Sequence, residues 1–170
     1  MRSELDVLVL GNLLHFPRSP HGGKNDTIWL VLIVVDTNVF VAACLSAGAS
    51  NEVVATCLRG EHAPLMGTTL LAEYEDVLGR AELFRKSRLS PSEREELLDI
   101  FVAACTWTRI YYAWRPNAPD EGDNHLVELA VAGGAERIVT RNLRDLRRLE
   151  LKFPWLVAVT PEQFIKEAKA

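Results

Sequence analysis

A chain of 170 residues, 48% of them apolar, is long enough for one domain with a sizeable core and too apolar for a disordered polymer. Nineteen Lys and Arg against twenty-three Asp and Glu leave a formal charge of -4, which excludes a globally basic nucleic-acid binder; any such contact must be local or carried by metal ions. No apolar run reaches the roughly eighteen residues that span a bilayer, and the N-terminus lacks a secretory signal pattern, so a cytoplasmic protein with no membrane contact is expected. Cys44, Cys57 and Cys105 are widely spaced in apolar surroundings and read as reduced core residues.

Residues 1–30 read as an extension or linker. Leu5 to Leu10 has the character of a short strand, and the stretch from Phe16 to Asp26 is rich in Pro, Gly and Ser. Two readings stay open: the natural protein begins just before Val31, or the arm docks on the sheet or on a partner. Residues 31–170 then form one domain. Val31 to Val35 is a five-residue apolar run, four of its members β-branched Val or Ile, as expected of a strand buried on both faces, and it stops at Asp36, Thr37 and Asn38. Asp36 therefore stands at a strand's carboxyl edge, where open α/β sheets bind ligands, although an Asp here is also a favoured helix N-cap.

Helical patterns follow over Val39 to Leu45 and Glu52 to Arg59, the second closed by Gly60. A short strand is predicted around Pro64 to Thr68, after which Thr68 or Thr69 caps a helix whose buried stripe is Leu70, Leu71, Tyr74, Val77 and Leu78. Glu73, one turn before Val77, tilts towards that stripe, whereas Asp76 points to water. Ser90-Pro-Ser-Glu93 is a capping box with Pro at the first helical position, predicting a helix from Pro91 to about Ala104. Thr106 to Tyr112 reads as a third strand, and a Pro- and Asp-rich loop leads into a helix from about Asp123 to Val131, closed by Gly133 and Gly134. A strand at Ile138 to Thr140, a helix at Asn142 to Leu149, a strand at Leu156 to Val159 and a second capping box at Thr160 to Gln163 complete the chain. This alternation predicts a three-layer α/β/α sandwich around a mainly parallel sheet, with several strand ends at one edge.

Asp36, Glu73, Asp120 and Asp123 are the acidic residues such an edge would gather. Oxygen ligands from separate elements suit a hard divalent cation such as Mg²⁺ or Mn²⁺. Each has a plainer reading: Asp123 as a helix cap, Glu73 as a helix acid favoured by the dipole. Beside Asp123, His125 is read as a helix-surface histidine rather than a general base.

The series Val-Asp-Thr-Asn-Val-Phe at 35–40, Leu-Leu-Ala-Glu-Tyr-Glu-Asp-Val-Leu-Gly-Arg at 70–80, Pro-Asp-Glu-Gly-Asp-Asn-His-Leu-Val-Glu-Leu-Ala at 119–130, Ile-Val-Thr-Arg-Asn-Leu-Arg-Asp-Leu at 138–146 and Val-Thr-Pro-Glu-Gln-Phe at 159–164 resembles the PIN domain family. It looks most like the branch of toxins from toxin–antitoxin pairs, over roughly residues 31 to 168. The resemblance implies a metal-dependent endoribonuclease acting on RNA, a cognate antitoxin and a homodimer. Position by position, it implies that Asp36, Glu73, Asp120 and Asp123 bind metal, with Asp36, Glu73 and Asp123 catalytic, and Glu75 a rival to Glu73. Thr37 and Asn38 match residues that steady the first aspartate, and Thr140 a hydroxyl residue ending the fourth strand. Asn142 departs from the pattern: many members carry an acid there, and Asp145, one turn on, either substitutes or pairs with Arg141 or Arg148.

Asn38, Thr140, Arg141 and Asn142 are the expected substrate-binding residues. Arg141, Arg144, Arg147 and Arg148 in one group, and Arg80, Arg85, Lys86 and Arg88 in another, are either phosphate contacts or solvated faces. Trp114, Tyr111 and Tyr112 could stack unpaired bases, but the tyrosines are read as core or dimer contacts. Two other classes are weighed against the ribonuclease. One is a catalytically degenerate PIN-like module that binds RNA or protein; the other is a phosphatase with Asp36 as nucleophile, which expects an aspartate where Asn38 stands.

Overall fold

The computed structural model describes residues 30–111, 123–146, 148 and 152–170. The extension at residues 1–29, and with it the expected strand at Leu5 to Leu10, lies outside them, as do Asp120, Tyr112, Trp114 and Arg147. Among the described residues, five strands, β1 (Val31–Val35), β2 (His62–Met66), β3 (Thr106–Trp107), β4 (Arg137–Val139) and β5 (Val157–Val159), form one sheet in the order β3-β2-β1-β4-β5, every pairing parallel. The helices are α1 (Thr37–Leu45), α2 (Ala49–Leu58), α3 (Thr68–Leu78), α4 (Pro91–Ala104), α5 (Asn124–Gly133), α6 (Leu143–Leu146) and α7 (Pro161–Ala168), with a 3₁₀ turn at Ala81–Phe84. No single described helix is long and apolar enough to cross a membrane.

β1 is the central strand. Successive strand residues face opposite sides of a sheet, yet Ile33, Val34 and Val35 are all essentially inaccessible, so helices cover both faces and the layered α/β expectation holds. α5 lies across β1, β2 and β4, while α1 packs on α2 and α3. The rings of Phe40, Tyr74 and Phe101, with centroids 5.1–5.9 Å apart, tie α1, α3 and α4 together. Tyr74, fully buried, donates its hydroxyl to the Val35 carbonyl at 2.8 Å, fastening α3 to the last residue of β1.

Both capping boxes are present with both reciprocal bonds, at Ser90 with Glu93 and at Thr160 with Gln163. Several boundaries differ from expectation. The residue preceding α3 is Gly67 rather than Thr68 or Thr69, because the chain turns out of β2 one residue earlier, where a Cβ would stand 3.2 Å from Leu129. β3 was expected to reach Tyr112 but ends at Trp107: Thr108 donates the last ladder bond to the Met66 carbonyl at 2.9 Å, and beyond Met66 the partner strand has already become α3. Against the expected run from Asn142 to Leu149, α6 begins at Leu143, and Arg147 and Leu149 lie outside the described residues. At the end of α5, Gly134 takes the left-handed conformation (φ 70°), while a Cβ on Gly133 would fall 2.2 Å from buried Leu65.

Tyr74→Phe removes one oxygen and leaves the buried Val35 carbonyl without that donor, which costs about 1–3 kcal/mol. At about 2–4 °C per kcal/mol for a chain of this size, thermal denaturation resolves the loss, and an unchanged melting temperature contradicts it.

Candidate active site

The strand order reverses between β1 and β4, since the chain runs outward from β1 through β2 to β3 and then returns to β1's other side. Such a switch point opens a crevice at the carboxyl ends of the two strands. Asp36 occupies it. Its backbone N–H donates to the Val139 carbonyl at 3.0 Å, and its extended backbone (φ -68°, ψ 146°) turns the chain into α1. Thr140 donates its hydroxyl to Asp36 Oδ2 at 2.6 Å, and Asn38 Nδ2 donates to the same oxygen at 2.7 Å. The Asn38 N–H points at Oδ1 from 3.5 Å, so the edge-carboxylate and helix-cap readings describe one residue.

Asp36 is 7% exposed. Burial pushes its pKa up from the ordinary carboxylate value; the donors, Thr140 foremost, pull it back, and the neighbouring charge of Glu73 adds to the rise. Thr140 and Asn38 are themselves held. Asn38 Nδ2 is 3.2 Å from Thr140 Oγ1, Asn38 Oδ1 accepts the Arg141 N–H at 3.0 Å, and Thr140 Oγ1 accepts the Asn142 N–H at 3.0 Å.

Glu73 reaches the same centre from α3. The Thr37 hydroxyl lies between the carboxylates, 2.8 Å from Glu73 Oε1 and 3.3 Å from Asp36 Oδ1. On the other side His125 Nε2 stands 2.8 Å from Glu73 Oε2. His125 is the chief correction to the sequence reading: it is buried and touches Glu73, rather than lying on a helix surface. The signal was available in α5, whose residues Leu126 to Ala130 are apolar apart from Glu128. A helix without a polar face is an interior helix, and its first turn goes inside with it. Asn124 and Glu128 are buried for the same reason. His125 foremost, with help from Thr37, holds the Glu73 pKa below its ordinary value against an upward push from burial.

Asp123 immediately precedes α5, two positions before His125, and its side chain does not cap that helix. Asp120 lies outside the described residues. Glu75, the expected rival to Glu73, is exposed. Arg141 and Asn142 are exposed, Arg141 joining the site through its backbone; Asn142 Nδ2 donates to Asp145 Oδ2 at 2.7 Å, a partner for Asp145 that the sequence reading did not name. Arg80 pairs with Asp76. Tyr111, expected in the core or at a dimer contact, is 78% exposed. Cys44 and Cys57 are buried and unbridged, as is partly buried Cys105, and burial pushes the Cys44 and Cys105 thiols up to about 12, which removes them as nucleophiles.

The donor set is one of hard oxygens, and two like charges facing each other across one hydroxyl are what a divalent cation would relieve. Among the described residues, no three His, Cys, Asp or Glu side chains stand close enough to form a cage by themselves. Asp36 and Glu73 are the pair that the fold has already brought together.

The lowered Glu73 pKa carries a sign. Its interaction with His125 and Thr37 stabilises the fold above the unfolded carboxyl value, about 4.3, and is lost as pH falls through the lower folded value. In His125→Ala the Glu73 carboxyl is expected to titrate at higher pH, read by carboxyl NMR, and the stability deficit of the variant to narrow in acid. An unmoved Glu73 titration would show that His125 exerts no hold on it.

The family model described as PIN domain matches residues 32–144, which include Asp36, Glu73, Asp123 and Thr140. Among solved structures, VapBC2 from Rickettsia felis, bound to a DNA fragment from their promoter, is similar at 17% identity with a TM-score of 0.51, over 76% of this chain and 98% of that one. PAE2754 from Pyrobaculum aerophilum is similar at 14% identity with a TM-score of 0.54, over 87% of this chain and 99% of that one. No curated protein matches the chain. The two structures share the fold, and the family model covers well over half of the sequence: this chain belongs to the PIN domain family.

Proposed function

We propose that this protein is a divalent-metal-dependent endoribonuclease, the toxin of a toxin–antitoxin pair, working in the cytoplasm. The observation that carries the reading is the buried Asp36 carboxylate, held by Thr140 and Asn38 at the switch point and facing Glu73 across the Thr37 hydroxyl. Mg²⁺ or Mn²⁺ would be held by Asp36, Glu73, Asp123 and Asp120, and it would supply an activated water and charge neutralisation at the scissile phosphate. Asp36 is pre-aimed, because two donors on one oxygen leave the other towards Glu73. Thr140 and Asn38 keep that carboxylate from rotating, and His125 and Thr37 do the same for Glu73. Asn142 places an amide where an acid would add another negative charge, so one tightly bound cation is the expected stoichiometry. The antitoxin is proposed by analogy with VapBC2, and a second copy of this chain is the other expected partner.

A second reading, a degenerate RNA- or protein-binding module, is favoured by the absence of a three-ligand cage among the described residues and by both Glu73 oxygens already having partners. The test incubates the protein with a mixed RNA pool and Mg²⁺ or Mn²⁺, then with a chelator. Cleavage is expected to need the metal and to vanish in Asp36→Asn, while Thr140→Val is expected to lose about 10- to 100-fold by freeing the carboxylate. An uncut pool, with no metal-induced rise in melting temperature, would establish the binding module instead.

A further inference from the structure

The sheet edge that carries the carboxylate pair also carries a concavity of about 580 Å³, bounded by Thr68 and Thr69 at the start of α3, by Trp107 at the end of β3 and by Arg109, Ile110 and Tyr111 after it. Its position follows from register. Ile33 pairs with Pro64, Val35 with Val139 and Met66 with Trp107, so Asp36, Gly67, Thr108 and Thr140 are each the first residue off the same edge. The concavity thus opens two strand spacings from Asp36, roughly 10 Å along the edge.

Its lining is unusual for a surface without a ligand. Trp107 is 55% exposed and Tyr111 78% exposed, two large rings left in solvent while Phe40, Tyr74 and Phe101 fill the core nearby. Arg109 lies between them in sequence, and two threonine residues border the same space from α3. Aromatic faces accept any unpaired base, a guanidinium accepts phosphate or stacks, and hydroxyls serve ribose or base edges. A folded protein partner would be served by a flatter apolar patch; the mixture here suits a single-stranded polynucleotide whose next residue lies at the carboxylates.

We propose that this groove is a subsite for an unpaired nucleotide flanking the scissile position, with Trp107 as its stacking platform, Tyr111 as a second ring and Arg109 as its phosphate contact. The proposal deepens the ribonuclease reading and rests on it for the direction in which the strand runs. It also explains how a chain of net charge -4 could hold RNA: stacking is insensitive to the sign of the protein's charge.

The test uses the full chain carrying Asp36→Asn, so that RNA is bound without being cut, and a fluorescein-labelled single-stranded ten-nucleotide RNA. Trp107→Ala is expected to weaken binding roughly tenfold, and Trp107→Phe to retain most of the affinity while reducing any RNA-induced quenching of tryptophan fluorescence, since Trp29, Trp114 and Trp155 remain. Trp107 is exposed on an edge strand, and an unchanged melting temperature checks that the fold is intact. Equal affinity for Trp107→Ala and its parent would overturn the subsite, as would tight binding of duplex RNA with none of the single strand. Cleavage by the unsubstituted protein is scored separately. An uncut pool with the tenfold Trp107 effect intact would reject the nuclease and keep the subsite; metal-dependent cleavage indifferent to Trp107 would do the reverse.

Discussion

A carboxylate at the end of the most apolar strand is the constraint around which this molecule is arranged. Asp36 cannot leave the interior, because Val35 before it is the last rung of the central strand and the α1 residues Val39 and Phe40 after it are core. Burial penalises its charge, and a solitary buried carboxylate would simply take up a proton. The fold answers with donors from three places: Thr140 from the neighbouring strand, Asn38 from the helix that Asp36 caps, and Thr37 beside it. These bonds lower the pKa without cancelling the rise. What remains is a group kept ready to carry charge and short of a counter-ion.

The topology makes that arrangement possible. Asp36 and Thr140 are 104 positions apart, yet each is the first residue beyond strands that pair in parallel, so their side chains meet wherever the ladder is correctly registered. A slip of one residue in β4 would turn Thr140 to the other face and leave Asp36 without its shortest bond. Tyr74 locks the same corner from below, tying α3 to Val35 and so placing Glu73, on the preceding residue of that helix, at the rim. The core thereby sets the site's geometry.

Three of the described arginines are held in ion pairs. Arg59 bonds Glu52 and Glu61, Arg80 bonds Asp76, and Arg137 bonds Glu167. Exposed pairs of this kind add little stability, but they reduce the net positive field offered to a polyanion. In the proposed function, metal at the carboxylates and the rings and Arg109 beside the β3 edge supply recognition at short range.

Much of the architecture was legible from the chain alone, because its signals are local. The five-residue apolar run of β1, the two capping boxes and the Gly pair closing α5 depend on neighbours within a few positions, and they appear where the residues place them. The candidate acids at Asp36 and Glu73 were readable as a strand end and a stripe edge. Tertiary structure decided the rest. Whether His125 faced water or Glu73 depended on which helices pack over α5, and whether β3 continued past Trp107 depended on where its partner strand turned away. The exposure of Tyr111 and Trp107 likewise follows from β3 being an edge, a fact about strand order that no window of sequence contains. Local propensity is written in consecutive residues; burial at this site is a property of contacts between residues 36 to 104 positions apart.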